Sequence, residues 1–131
     1  MNACNTEALQ ENLPFCINNQ IQYYSSSPLN MGLLGNCYDS FTLEPPVWLD
    51  TLLVESAKCA KCLADLNEIT LPELAHRFLL SLPYTFNIVI GASNLEELSA
   101  TLQGLRRGPL PVSLVREILK CANGKLSDEQ D

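Results

Sequence analysis

The chain is poor in basic side chains and in histidine. It has 8 lysines and arginines against 15 acidic residues, a net charge of −7, and one histidine, His76. Nucleic-acid binding depends on clustered Lys and Arg that neutralise phosphates, so no nucleic-acid partner is expected. The same shortage removes the usual attraction to an anionic membrane surface.

Long hydrophobic runs are also missing. No apolar run approaches the roughly 20 residues that a membrane-spanning helix needs. The first ten residues, MNACNTEALQ, contain neither a basic segment nor an apolar stretch of the kind found in secretory leaders. We therefore expect a cytoplasmic protein with reduced thiols. The 131 residues, 47 % of them hydrophobic, suffice for one domain with a modest core.

The six cysteines include one closely spaced pair, Cys59 and Cys62. A structural zinc site would need a second pair, or histidines at ligand spacing, and the chain has one histidine. A thioredoxin-like site would place the pair at the start of a helix after a strand, whereas here it falls inside a helical pattern. We expect two small, partly buried side chains, and thiol or metal chemistry is the alternative.

Two segments are predicted to be strands that end in small-residue loops. Residues 21–26 lead into the loop SSSPLNMGLLG, and residues 86–90, FNIVI, lead into Gly-Ala-Ser-Asn. Pro28 stiffens the first loop, and Gly32 and Gly35 permit close approach. Such a loop is a candidate for a phosphate or diphosphate site, and an ordinary exit from a strand is the alternative.

Helical spacing of apolar residues predicts helices over 47–66, 70–82, 95–105 and 112–121. The second of these has an apolar stripe on one side. The opposite, solvated face is predicted to carry His76 and Arg77, so a catalytic role for His76 is not expected.

Two helix starts show the capping-box pattern, with Thr70 followed by Glu73 and Asn94 followed by Glu97. The second start follows a strand and a small-residue turn, a geometry that suits anion binding by free backbone N–H groups. Glu96 and Glu97 themselves partly occupy that positive helix end. A well-capped helix without a ligand is therefore the alternative.

The rest of the chain sets the domain limits. Residues 1–12 are expected to be poorly structured, 13–124 to form the domain, and 125–131 to be an acidic tail. Residues 36–46 are predicted to be irregular. The alternation of strands and helices indicates an α/β fold with parallel strands, but two strands alone leave their edges unpaired.

These motifs together resemble the C-terminal part of the aldo/keto reductases, a (β/α)8-barrel family of NAD(P)-dependent oxidoreductases. SSSPLNMGLL is similar to the family's seventh strand and its exit, and residues 88–98 to its eighth strand and the following loop. The S-P-L-x-M-G-L-L form and the Pro-Pro-x-Trp at 45–48 look closest to galactose, arabinose and threo-aldose 1-dehydrogenases. The resemblance implies a partial (β/α)8 TIM barrel, comprising about the seventh and eighth β/α units plus a C-terminal helix.

The resemblance also implies residue roles in the loop after the first strand. Ser26 and Ser27 fall where residues of the family's seventh strand stack on nicotinamide and contact the diphosphate. Leu29 and Met31 fall where the same loop lines the diphosphate.

The second loop falls where the family contacts the adenosine end of the cofactor. Gly91, Ala92 and Ser93 match positions near the adenosine ribose. Glu97 stands where NADP-preferring members often carry an arginine, which implies NAD over NADP. Residues 100–101, Ala-Thr, replace a Glu-Asn pair that commonly holds adenine.

The family's catalytic Asp, Tyr, Lys and His lie in the first half of the barrel, and nothing here matches them. The resemblance implies a fragment of an NAD(P)-dependent oxidoreductase for an aldose or other carbonyl or alcohol, inactive alone. The nicotinamide cofactor and a sugar-like substrate would bind only in the complete barrel. The alternative is a non-enzymatic interaction protein, with its exposed strand edges covered by a second copy or a complementing barrel half.

Overall fold

The computed structural model describes residues 1–123. A 3₁₀ turn at Glu7–Leu9 precedes the remaining elements, which in chain order are α1 (Asn12–Asn18), β1 (Tyr24–Ser25), α2 (Tyr38–Leu43), α3 (Thr51–Leu66), α4 (Leu71–Leu80), β2 (Asn87–Ile88), α5 (Leu95–Arg106) and α6 (Val112–Asn123). No helix in this described part combines the length and apolar character needed to cross a bilayer. Gly124 and the predicted acidic tail 125–131 lie outside the described residues.

The two strands form a parallel pair, as predicted, with Tyr24 opposite Asn87 and Ser25 opposite Ile88. The ladder is shorter than the predicted strands 21–26 and 86–90. One cause is Ser27, which has a φ of 54°, because this left-handed conformation turns the chain out of the extended direction.

Helices α3, α4 and α6 enclose the core. α4 carries the apolar stripe that its sequence predicts, and small side chains let α3 lie close to it. The main buried residues of the three helices are Ala57, Ala60, Ala64, Leu71, Leu74, Ala75, Phe78, Leu79, Leu114 and Ile118.

Helix α3 begins later than predicted, at Thr51 and not at residue 47, because the Asp50 carboxylate accepts a hydrogen bond from the Leu52 N–H at 2.8 Å and caps the first turn. Residues 36–46, predicted to be irregular, contain α2. The sequence of α2 carries four aromatic or hydroxyl side chains without a helical apolar stripe, so periodicity did not reveal it.

The N-terminal segment corrects another prediction. Residues 1–12 were expected to be poorly structured, yet Ala3 and Cys4 are buried, and burial raises the pKa of the Cys4 thiol to about 12. The Asn2 amide donates a hydrogen bond to the Ser27 carbonyl at 3.1 Å. These long-range polar contacts hold a segment that has no hydrophobic periodicity of its own.

A disulfide joins Cys59 of α3 to Cys121 of α6. Reduced thiols were predicted, and Cys59 was considered together with Cys62, which is instead a free, exposed thiol. The bonded partners are 62 residues apart, so their pairing could not be read from local spacing. Within residues 1–123, no group of three or more His, Cys, Asp or Glu side chains could hold a metal ion.

Candidate functional site

A cleft of about 810 Å³ is lined from three sides, and we call it the α4–α5 cleft. The loop after β1 contributes residues between 29 and 37, α4 and its N-cap contribute residues between 70 and 76, and the β2–α5 loop with α5 contributes residues between 91 and 107. The exits of both parallel strands therefore meet at one site, where α/β folds commonly bind ligands.

The first side of the cleft depends on a tight turn at Gly32. This residue has a φ of 92°, and a Cβ built on it would lie 2.9 Å from Cys37 Sγ. A side chain here would be strained and would also strike Cys37, which lines the same cleft. Because Gly32 has no side chain, the chain around residue 32 can pack directly against Cys37.

Several residues predicted to bind the cofactor meet in this cleft. Leu29 lines it from the β1 loop, and the opposite side holds Gly91, Ala92, Ser93 and Glu97. These two groups lie 62 or more residues apart in the chain, and the parallel pairing of the strands brings them together.

The other predicted residues of the β1 loop do not line the cleft. Ser26 and Ser27 are exposed beside it, and Met31 is exposed as well. Met31 has a φ of 58°, so the chain turns at this position and directs the side chain away from the cleft lining.

A hydrogen-bonded carboxylate closes one end of the site. The Asn94 side chain accepts from the Glu97 N–H at 2.8 Å, as the predicted capping box requires. The Glu97 carboxylate accepts at 2.8 Å from the Ser93 N–H, one residue before the cap, and not from the Asn94 N–H. Asn36, which sequence reasoning missed, donates to the same carboxylate at 2.6 Å. The Ser93 N–H and then Asn36 lower the pKa of Glu97, so this end of the cleft holds a fixed negative charge.

The other predicted capping box is present only in part. The Thr70 hydroxyl accepts from the Glu73 N–H at 3.2 Å. The Glu73 carboxylate does not reach back to the start of α4, and pairs instead with Arg77 and Arg107. Glu73 and Arg107 both line the α4–α5 cleft, so the charge of this carboxylate is balanced inside the lining.

Arg77 does not lie on a solvated face, as the helical pattern predicted. Its side chain is 14 % exposed, and its guanidinium donates to the Gly108 carbonyl at 2.8 Å and the Pro109 carbonyl at 3.2 Å. The turn between α5 and α6 folds over this side of α4, and the backbone carbonyls of that turn supply the partners.

His76 is also buried, contrary to prediction, with 1 % of its surface exposed. Neither ring nitrogen has a hydrogen-bond partner. Burial lowers the pKa of His76; the nearby Pro72 carbonyl opposes this lowering, without the geometry of a hydrogen bond. α4 is covered around most of its circumference, so a two-sided pattern mispredicts the environment of His76.

The comparisons with known proteins show the family of the chain. A family model described as the aldo/keto reductase family matches residues 1–123. The chain belongs to the aldo/keto reductase family. A comparison with curated proteins gave no match.

Membership in the aldo/keto reductase family defines the fold and the general chemistry. The family's fold is a (β/α)8 barrel, and the parallel pair of strands with its helices is consistent with part of one. Its members are oxidoreductases that generally use NAD(P)H. The family match includes residues 1–12, which the predicted domain limit of residue 13 left out.

The residues of the cleft fit the adenosine end of such a cofactor. The cleft volume lies within the roughly 300–1,000 Å³ of small-molecule sites. At Gly91 a Cβ would meet nothing within 4 Å, so this part of the lining is open to a ligand. The lining also contains the imidazole of His76, whose two ring nitrogens have no hydrogen-bond partner in the protein.

Acid should destabilise this aldo/keto reductase chain through His76. Burial lowers the pKa of His76 below its ordinary value of 6.5 in the folded state, whereas the unfolded chain keeps the ordinary value. At a pH just below 6.5, His76 therefore binds a proton in the unfolded chain that it does not bind in the folded chain. The free energy of unfolding should therefore fall as the pH decreases from about 7 towards about 5, and this effect should level off below the folded-state pKa.

A His76→Leu variant should lose this component of the pH dependence. It also removes an unpaired buried polar group, which should raise the free energy of unfolding near neutral pH by about 1–3 kcal/mol. Urea unfolding of both proteins at several pH values measures the two effects. If the free energies of unfolding of the variant and the wild type depend on pH in the same way, His76 is not the cause of the loss of stability in acid.

Proposed function

We propose that this chain supplies the adenosine-binding end of an NAD(P)-dependent oxidoreductase. The observation that carries the proposal is the meeting of the β1 loop with the start of α5, joined across the α4–α5 cleft by the Asn36–Glu97 hydrogen bond. Gly91, Ala92 and Ser93 would lie against the adenosine ribose. When bound, the nicotinamide would carry the hydride, and the residues described here would bind and orient the other end.

The substrate class that we propose is an aldose or another carbonyl or alcohol compound. Support comes from the S-P-L-x-M-G-L-L form of the β1 loop and the Pro-Pro-x-Trp at residues 45–48, which resemble the galactose, arabinose and threo-aldose 1-dehydrogenases. The family's catalytic residues have no match in this chain, so we propose turnover only where a complementing barrel half is present.

We further propose that the site prefers NAD over NADP. The Glu97 carboxylate stays ionised because the Ser93 N–H and Asn36 donate to it, and it lies at the N-terminus of α5. A 2′-phosphate placed beside it would meet a like charge, and the helix end that would otherwise attract the phosphate is already occupied.

Calorimetric titration of the chain with NADH and NADPH tests both proposals through the adenosine end, which is the part of the cofactor site that we propose for this chain. The wild type should bind NADH roughly three- to tenfold more tightly than NADPH. Glu97→Gln should narrow this ratio, mainly through tighter NADPH binding, while the matched control Glu96→Gln should leave it unchanged. Tighter NADPH binding by the wild type would overturn the NAD preference, and no binding of either dinucleotide would overturn the proposed function.

A second candidate function is an interaction module. Tyr24 of β1 is 60 % exposed and Val89, next to β2, is 48 % exposed, so the sheet face away from the helices is open. Unpaired parallel strands favour pairing with another chain. We propose that a second copy or a complementing barrel half covers this face, and sedimentation velocity that shows only monomer at every concentration would contradict self-association.

A further inference from the structure

We propose that His76 recognises the purine ring of the nucleotide bound in the α4–α5 cleft by hydrogen bonding to it. This inference rests on the proposed function, which places the adenosine end of the cofactor in the same cleft. It assigns a base-reading role to a residue that the sequence pattern placed on a solvated face.

The first support is the missing hydrogen bonds of the imidazole. His76 is 99 % covered, and both of its ring nitrogens lack a partner. Buried polar groups are nearly always hydrogen-bonded, and an unpaired one costs free energy of folding. A leucine, similar in size, would fill a position that is 1 % exposed without that cost.

The second support comes from those polar side chains of the cleft lining that already have protein partners. The Asn36 amide and the Glu97 carboxylate bond to each other, and the Glu73 carboxylate pairs with Arg107. The Thr70 hydroxyl caps α4. His76 is buried in the same lining with its donor and its acceptor both unused.

The charges in the cleft favour the base over the phosphates as the group near His76. Arg107 of the lining is paired with Glu73, so the Glu97 carboxylate leaves the lining with a negative charge, and the neutral imidazole brings no charge to offset a phosphate. A neutral imidazole has one N–H donor and one acceptor nitrogen. A purine offers ring nitrogens that accept and, in adenine, an amino group that donates, so both hydrogen bonds can be made.

Access requires a local rearrangement. Both ring nitrogens are screened in the structure, so the imidazole must turn towards the cleft, or the side chains that cover it must move, when the base enters. Rotamer changes of this size are common on ligand binding. Ala100, on the α5 side, has a short side chain that leaves space for a ring.

The experiment uses ADP as the base-containing probe and ribose 5-phosphate as the base-free probe. His76 is the one histidine of the chain, so its imidazole signals in an NMR spectrum are unambiguous. They should shift on addition of ADP to the wild type, and they should stay in place on addition of ribose 5-phosphate. Ring signals that respond equally to both probes, or to neither while ADP binds, would overturn the role of His76.

Variants give a second measurement by calorimetric titration. His76→Leu should weaken ADP binding roughly three- to tenfold, the equivalent of one net hydrogen bond, and leave ribose 5-phosphate binding unchanged. His76→Gln, which keeps a donor and an acceptor, should recover part of the loss. Equal ADP affinities in the wild type and His76→Leu overturn this inference alone, whereas a wild type that binds neither ADP nor NADH overturns the proposed function with it.

Discussion

Replacing Cys121 with serine should lower the free energy of unfolding by about 4 kcal/mol, the chain-entropy value for a cross-link that closes a loop of this length. The Cys59–Cys121 disulfide spans 62 residues and ties α6 to α3. Serine is the appropriate replacement because the Ser56 hydroxyl donates to the backbone carbonyl of residue 121 at 2.9 Å, and that hydrogen bond survives the change.

The control for this prediction is Cys62→Ser. Cys62 lies one turn along α3 from Cys59, is exposed and is a free thiol, so its replacement should change stability by less than about 0.5 kcal/mol. A reducing agent should lower the stability of the wild type and the Cys62 variant to that of Cys121→Ser. If wild type and Cys121→Ser unfold at the same denaturant concentration under oxidising conditions, the disulfide does not stabilise the fold.

The second large effect is expected from Arg77→Met, which should cost about 3–5 kcal/mol because it breaks a buried ion pair on one side only. Arg77 bonds the Glu73 carboxylate at 3.4 Å and the carbonyls of Gly108 and Pro109. Glu73 is 9 % exposed and would keep only Arg107, whose side chain is 60 % exposed. Methionine keeps an apolar side chain of similar length, so the lost free energy of unfolding measures the contribution of the arginine charge and its hydrogen bonds.

Two further variants define the origin of that loss. Arg116→Met removes an exposed arginine of α6 and should change stability by less than about 0.5 kcal/mol. Adding Glu73→Gln to Arg77→Met removes the carboxylate that has lost its less exposed partner and should recover part of the stability. An Arg77→Met protein as stable as Arg116→Met would show that the α5–α6 turn is held by packing alone.

Local sequence signals predicted most of the helices and the two strand positions. Helix α4 starts where Thr70 caps it, and α5 starts where the Asn94 side chain accepts from the Glu97 N–H. Such signals act between residues three or four apart, so they operate before any tertiary contact exists. α2 escaped prediction because its sequence has no apolar stripe of helical period.

The candidate site was predictable only in part. Gly91, Ala92, Ser93 and Glu97 were identified from a small-residue turn before a capped helix, and they line the cleft. Asn36 was missed because nothing around it indicates a long-range partner; its bond to Glu97 crosses 61 residues of chain.

The sequence by itself determined the starts of α4, α5 and α6, the parallel order of the strands and, through its motifs, the family. The tertiary structure alone decided that His76 is buried, that Arg77 is largely covered and that Cys59 pairs with Cys121. The physical reason is that capping and periodicity depend on near neighbours in the chain. Burial, charge pairing and disulfide bonding depend instead on which distant segments pack against a helix, and α4 is packed on more sides than its apolar stripe indicates.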